Sequence, residues 1–339
     1  AREGHCGLTR AALLEEAVKL LAVREESVDV ALSQVVHEGG VVEDEGTGLL
    51  YPKGLWHAEK GLASRLRRLM DEGDRVPEDD ARRAVEESLS GLGVERDESQ
   101  VEAAVMAVMN PLSVITGGPG TGKSTTQKVI VGALEALGKE VVLAAPTGRA
   151  AKRLAEVSGR PASTCHRLLS FSTEKGGFEY DSSNPFPEDR LVVDEFSMVD
   201  VRLGHAFMDA VGREAGVTIV GDVDQLPSVG AGQVLRDLIE SGSIPVARLK
   251  TVHRQKGNSG IVVAAARINR GAYPVEAGAD DGGFQIRSEA SDVSTPERLR
   301  HAVVKLMAEE LPAMGFDPVQ DVQVLSPMRK GDLGIAVLN

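Results

Sequence analysis

Apolar residues recur at three- and four-residue spacing through the first third of the chain. Leu14, Val18 and Leu21 share one face of a helix predicted over 9–22, with Thr9 as its cap. A second helix is expected from about 27 to 37, stopped by Gly39 and Gly40. Val41 to Glu43 and Leu49 to Tyr51 flank a turn containing Gly46 and Gly48, which predicts a hairpin. A third helix then turns Leu55, Leu62, Leu66 and Leu69 inward. Beyond an acidic stretch, a helix opening at Glu98-Ser99-Gln100 carries Val101, Ala104, Val105 and Val108.

From there the pattern changes to short unbroken apolar runs at 112–116, 141–145, 191–193, 217–221 and 246–249, with helical segments between the early ones. Buried runs alternating with helices predict an α/β fold around a parallel sheet. After residue 255, a helix over 261–268, an acidic glycine-rich loop near 278–283, a helix over 296–310 and a strand over 322–325, capped by Ser326 to Arg329, suggest a partial second α/β domain. The expected domains are therefore 1–72, an acidic connection at 73–97, a motor-like domain at 98–254 and a partial second one at 255–339. The two helices, hairpin and helix of 1–72 resemble part of a winged-helix module, which serves either DNA binding or packing. Arg65, Arg67 and Arg68 there either touch phosphate or are solvated.

Composition narrows the setting. At 339 residues the chain exceeds what one hydrophobic core usually organises. No apolar run approaches the ~20 residues of a spanning helix, so no membrane is expected. Cys6 and Cys165 are too few for a disulfide framework, which points to a reducing cytoplasm. The first residue is Ala1 rather than Met, in what reads as folded sequence, so a fragment is expected. A net charge of −13 argues at first against a nucleic-acid partner. The charge is uneven, however: residues 71–100 hold eleven acids and four bases, whereas residues 146–170 hold five bases against Glu156 alone.

The chemistry centres on Gly117-Gly118-Pro119-Gly120-Thr121-Gly122-Lys123-Ser124-Thr125, placed between a predicted strand and a helix. That is a P-loop in the context it requires: glycines let backbone N–H groups close on phosphate oxygens, and the helix N-terminus adds partial positive charge. Lys123 is expected at the β- and γ-phosphates of ATP and Ser124 on Mg²⁺. Gln100, 17 residues upstream, carries an amide able both to donate to and accept from an adenine edge. Leu191 to Val193 deliver Asp194 and Glu195 to a sheet edge, Asp194 to hold Mg²⁺ through water and Glu195 to orient and deprotonate the attacking water. Gln225, after the next strand, is suited to sensing a γ-phosphate, and Arg254 to complementing its charge in the transition state.

A second group of residues suits a phosphate backbone. The strand over 141–145 ends in Pro146-Thr147-Gly148-Arg149 and a basic helix, where ligands of α/β sheets bind. Arg149, Lys152 and Arg153 either contact phosphate or solvate that helix. Ser163 and His166 lie in another polar turn. Residues 171–190 hold Phe171, Phe178, Tyr180 and Phe186 around Gly176-Gly177, a predicted inserted hairpin whose aromatics form a small core or stack on bases.

As an ordered set these blocks, together with Asp194 to Asp200, Gly221 to Gly232 and His253-Arg254-Gln255, resemble the motifs of superfamily 1 helicases, most closely RecD-like ones of superfamily 1B. The resemblance covers roughly 98–339, and 50–69 is similar to what precedes the motor in long stand-alone members. It implies a RecA-like P-loop NTPase motor that uses ATP and Mg²⁺ to translocate 5′→3′ on single-stranded DNA, as a monomer, and to unwind duplex at single-strand/double-strand junctions in repair or recombination. In that frame Gln100 contacts adenine, Gly117 to Thr125 bind phosphates, and Gln225 and Arg254 read the γ-phosphate. Pro146, Thr147, Arg149, Ser163 and His166 lie along the single strand. The insertion at 171–187 corresponds to a small 1B pin, sufficient to part base pairs that cost a mean of ~1.4 kcal/mol per step.

Two later family blocks, of the types T-x-H-x-x-Q-G-S and T-R-A-R, do not occur before Asn339. The polypeptide by itself is therefore expected to bind nucleotide but to hydrolyse ATP poorly. A Pif1-like or relaxase-type helicase fits the P-loop and the 146–153 block less well. A nucleotide-dependent DNA-binding subunit of a larger complex would not need Glu195, Gln225 and Arg254 together.

Overall fold

In the computed structural model, Thr9 accepts the Ala12 N–H through its hydroxyl and opens α1 (Arg10–Leu21), which ends at Ala22 in the left-handed region. The structure describes residues 4–93, 96–172, 174, 176–251, 260–274, 283–286 and 295–338. Helix α2 (Glu25–His37) runs beside α1, and β1 (Val41–Glu43) pairs antiparallel with β2 (Leu50–Pro52) around the expected turn. The long helix α3 (Lys53–Glu72) follows, then α4 (Glu78–Leu92) and α5 (Glu98–Met109), the last capped by Asp97, whose carboxylate accepts the Gln100 N–H at 3.0 Å.

The chain next builds β3 (Leu112–Gly117), α6 (Lys123–Ala136), β4 (Val141–Ala145), α7 (Gly148–Ser158), β5 (Ala162–Thr164), α8 (Cys165–Leu169), the two-residue strands β6 (Phe171–Ser172) and β7 (Gly177–Phe178), β8 (Arg190–Val193), α9 (Val201–Asp209), β9 (Gly216–Gly221), α10 (Val234–Glu240) and β10 (Val246–Leu249). Six of these strands form one parallel sheet in the order β10-β3-β9-β8-β4-β5. The apolar runs serve both faces because successive side chains point to opposite sides. Val114, Val193 and Ile219 join one core with α3, α9 and α10, while Ile115, Val192 and Val220 join the other with α4, α5 and α6. The register brings the ends of β3, β8 and β9 to one sheet edge, and that edge carries the P-loop and both carboxylates.

Two sequence expectations change here. The stretch 73–97 is not a connection: Ala81, Ala84 and Val85 are buried against α5 and α6, so α4 is part of the core on one face of the parallel sheet. Those small apolar positions make a narrow stripe that the surrounding acids obscure. Nor is α3 confined to a separate module, because Leu55, Leu62, Leu66 and Leu69 share a core with α9 and the sheet. The aromatics of the insertion are likewise divided. Tyr180 and Phe186 pack toward Phe207, whereas Phe171 and Phe178 meet edge to face on the hairpin, with Phe171 exposed.

Compact packing separates Ala1–Lys256 from Gly257–Asn339. The second unit contains α11 (Gly260–Asn269) and α12 (Pro296–Lys305), the latter capped by Thr295 and continued by a wider π turn over Leu306–Glu310. Residues 322–325 are not a strand: Val324 and Leu325 are exposed, and they pair with no strand among the described residues. An apolar run alone does not supply the backbone partners that a strand requires. The expected partial second RecA-like sheet is thus not formed by the described residues of this unit. No helix among the described residues is long and apolar enough to cross a membrane.

Candidate nucleotide and nucleic-acid sites

The loop between β3 and α6 turns on Gly120 and Gly122, both at positive φ (79° and 89°), where a side chain would be strained. Thr121 is buried and its hydroxyl donates to the Gly118 carbonyl at 2.9 Å, so it braces the loop from within. Gly117 has no room for a Cβ beside the Leu249 carbonyl. The Lys123 ammonium donates to the carbonyls of Gly117 and Gly118 across the mouth of the loop.

That mouth opens on a cleft of about 200 Å³ lined by Gly118, Gly120, Gly122, Lys123, Ser124 and Thr125 of the loop and helix start together with Asp194, Glu195 and Gln225. The predicted P-loop and carboxylate residues therefore converge, apart from Gly117 and Thr121, which act inside the loop. Gln100 reaches the loop from α5: its amide packs directly over Gly122. Arg254 lies outside the described residues.

The carboxylates are held by backbone geometry. The Asp194 N–H donates to the Ala144 carbonyl at 2.9 Å, and Asp194 Oδ1 accepts the Glu195 N–H at 2.9 Å. Glu195 itself sits at φ 51°, a left-handed conformation costly for a side chain of its kind and common at functional sites. Burial pushes both carboxyl groups above their ordinary range. For Asp194 the Glu195 N–H, the Gln127 amide, Lys123 and Arg153 oppose the shift; for Glu195 the charge of Asp194 adds to it, while Lys123 and Arg153 oppose it. Gln225 Nε2 donates to Asp222 Oδ2 at 3.4 Å, which orients the amide from a buried acid. A hydroxyl from Ser124 and a carboxylate from Asp194 in one cleft are hard oxygen donors of the kind Mg²⁺ takes.

A second cleft, of about 320 Å³, lies on the same sheet edge. Of the five residues expected along a single strand, Pro146, Thr147 and His166 line it, together with Phe178. Arg149 and Ser163 do not line it; Arg149 is exposed on α7, and Ser163 is paired with Ala144 in the sheet. Thr147 caps α7 by accepting the Ala150 N–H at 3.3 Å, and Thr164 caps α8 by accepting the Arg167 N–H at 3.1 Å. Both polar turns are thus helix starts, where the threonine hydroxyls satisfy one first-turn N–H each and the others have no acceptor within the helix.

Several residues in these clefts carried no role in the sequence reading. Met198, Arg202 and Val229 line the second cleft, and Val229 is fully exposed, an apolar side chain left in water beside an otherwise polar turn. Gln127, on the second turn of α6, is 2% exposed beside Asp194, and its Nε2 lacks a hydrogen-bond partner among the described residues. Arg153, read as one of three basic residues on a helix, lines the P-loop cleft instead.

Comparison with known proteins agrees with this geometry. The AAA domain family model AAA_30 matches residues 95–289. The chain is 37% identical over 349 aligned residues to the ATP-dependent RecD2 DNA helicase of Deinococcus radiodurans, covering 99% of this chain and 46% of that protein. It is 33% identical to the RecBCD enzyme subunit RecD of Mycolicibacterium smegmatis, over 70% of this chain and 48% of the other. The RecD subunit of Mycobacterium tuberculosis is 35% identical over 66% of this chain and 42% of its own length. The chain spans about half the length of the curated relatives it matches. With a P-loop, paired carboxylates and a glutamine on one edge of a parallel sheet, the chain belongs to the AAA domain family, as a RecD-like member of it.

Proposed function

We infer that this chain is the nucleotide-binding part of an ATP-dependent DNA helicase that moves 5′→3′ along single-stranded DNA and opens duplex at junctions, in the cytoplasm, in repair or recombination. One observation carries the reading. The cleft of Lys123, Asp194, Glu195 and Gln225 and the cleft of Pro146, Thr147 and His166 share a sheet edge, as a motor that couples nucleotide to strand requires.

In the nucleotide cleft, loop N–H groups and Lys123 hold the phosphates, and Gln100 meets the base above Gly122. Ser124 and Asp194 would hold Mg²⁺, which neutralises charge on the β- and γ-phosphate oxygens. Glu195 accepts a proton from the attacking water, and Gln225 orients that water against the γ-phosphate. Arg254 complements the developing charge from the segment that follows β10. In the second cleft, apolar side chains take base faces while the starts of α7 and α8 take phosphates.

The test compares DNA-stimulated ATP turnover, fluorescent nucleotide binding and oligo-dT binding between wild type and Glu195→Gln. The reading expects turnover to be lost with both binding activities retained. Equal turnover in the variant sinks the role given to Glu195. Binding without any turnover in a wild-type protein of the relatives' full length favours a nucleotide-dependent DNA-binding subunit.

A further inference from the structure

Helix α7 belongs to both clefts. Thr147, its cap, lines the apolar groove, and Arg153, ~9 Å further along at 1.5 Å per residue, lines the P-loop cleft. The helix is anchored on one face and at both ends: Ala151 and Leu154 are buried, Thr147 caps its start, and Gly159 in the left-handed region ends it. Of the other bases on α7, Arg149 is exposed and absent from the P-loop cleft lining and Lys152 faces Glu156 at 3.9 Å, while Arg160, just past the helix, pairs with Glu135 at 2.6 Å. Arg153 makes no ion pair within 4.0 Å among the described residues, although its charge acts on both Asp194 and Glu195. A guanidinium sharing with two carboxylates a cleft lined by the P-loop suits the terminal phosphate of a nucleoside triphosphate, whose oxygens match its planar fork.

Resting on the ligands assigned to the two clefts, we propose that Arg153 is a positioning residue coupling them: single-stranded DNA held at the start of α7 sets the guanidinium against the terminal phosphate. Because coupling between two ligands is reciprocal, strand and triphosphate each raise the other's affinity, and a diphosphate, lacking the group that Arg153 meets, does so less. A merely structural residue on an exposed helix face would not distinguish the two nucleotides.

Equilibrium titration of this chain with a fluorescent non-hydrolysable ATP analogue and with fluorescent ADP, with and without oligo-dT, reads the coupling directly, and labelled oligo-dT gives the reciprocal measurement. Wild type is expected to bind the triphosphate about 5- to 150-fold more tightly with DNA than without, the usual range of such couplings. Arg153→Ala should bring that factor close to one at unchanged melting temperature, and Arg153→Lys, which keeps the charge but loses the fork, should restore only part of it. An Arg153→Ala protein with the wild-type factor overturns the proposal, as does a wild type that binds both ligands independently. A wild type that binds neither ligand overturns the site assignments themselves, and the coupling with them.

Discussion

The amide of Gln100 occupies the space that a Cβ on Gly122 would need, with its Cδ only 2.7 Å from that position. The α5 side chain and a P-loop glycine 22 positions further on are thereby locked together, and the lock works only while residue 122 is glycine. Gly122→Ala meets two penalties: the clash, and a φ of 89° that costs a side chain about 1–2 kcal/mol. Nucleotide affinity should fall by at least tenfold, equivalent to ~1.4 kcal/mol. The double variant Gly122→Ala/Gln100→Ala removes the clash but not the strain, so it should recover part of the loss in isothermal titration. Full recovery would show that backbone strain is unimportant here.

Gln127 offers a separation of stability from function. Its buried Nε2 makes no hydrogen bond within 3.5 Å among the described residues and acts on Asp194 only from beyond that distance, so Gln127→Met, of similar size and without the amide, should leave the melting temperature unchanged or raise it. The same change removes a group that favours the ionised form of Asp194. Orienting partners of metal-binding carboxylates typically matter 10- to 100-fold in metal affinity. The Mg²⁺ concentration that half-supports nucleotide binding should therefore rise roughly tenfold. A fall in melting temperature with an unchanged Mg²⁺ requirement would mean that the amide serves packing and not the carboxylate.

What the sequence made legible follows from how local each signal is. The P-loop and the Asp194-Glu195 pair were readable because an apolar run, its glycines or carboxylates and the next helix are contiguous, and β3 and β8 match the predicted strands closely. Arg153 was not, because its direction depends on which side of α7 meets the sheet, and that is set by Ala151 and Leu154 packing on elements distant in sequence. The role of α4 was hidden by charge: Ala81, Ala84 and Val85 are a complete buried stripe, yet they lie among Glu78, Asp79, Asp80, Glu86 and Glu87. The 322–325 run misled for the opposite reason, since alternation and apolarity state what a strand can be and not what it pairs with.

Helix α3 supplies a test of that non-local packing. A Cβ on Gly61 would stand 2.6 Å from His205 Cδ2 on α9, so the two helices approach closely at that point. Gly61→Ala should lower the melting temperature, and Gly61→Ala/His205→Ala should restore it, because shortening the histidine reopens the space. Leu62→Ala, which empties a site in the shared core, should cost about 2–5 kcal/mol in chemical denaturation. If α3 belonged to an independent module, these variants would melt one transition and leave nucleotide binding untouched. A single cooperative transition, with nucleotide binding lost alongside it, is the expected result.

Asp44 governs the hairpin between β1 and β2, and its titration can be followed by the chain's one tryptophan. Its Oδ1 accepts Lys60 Nζ at 2.9 Å and Trp56 Nε1 at 3.1 Å, while Oδ2 accepts the Thr47 hydroxyl at 2.9 Å. The Lys60 contact foremost, then those from Trp56 and Thr47, hold the carboxyl down to about 2. With the folded value below the unfolded one, Asp44 stabilises the protein above the ordinary carboxylate range, and this contribution is lost as pH falls from about 4 to about 2. Trp56 fluorescence should change across that window as its acceptor is protonated, before or together with acid unfolding. Asp44→Asn should lower the melting temperature at pH 7 and make it less dependent on pH below 4, since no carboxylate remains to protonate. A wild-type and a variant profile that run parallel from pH 7 to pH 2 would show that the three contacts to Asp44 do not stabilise the hairpin.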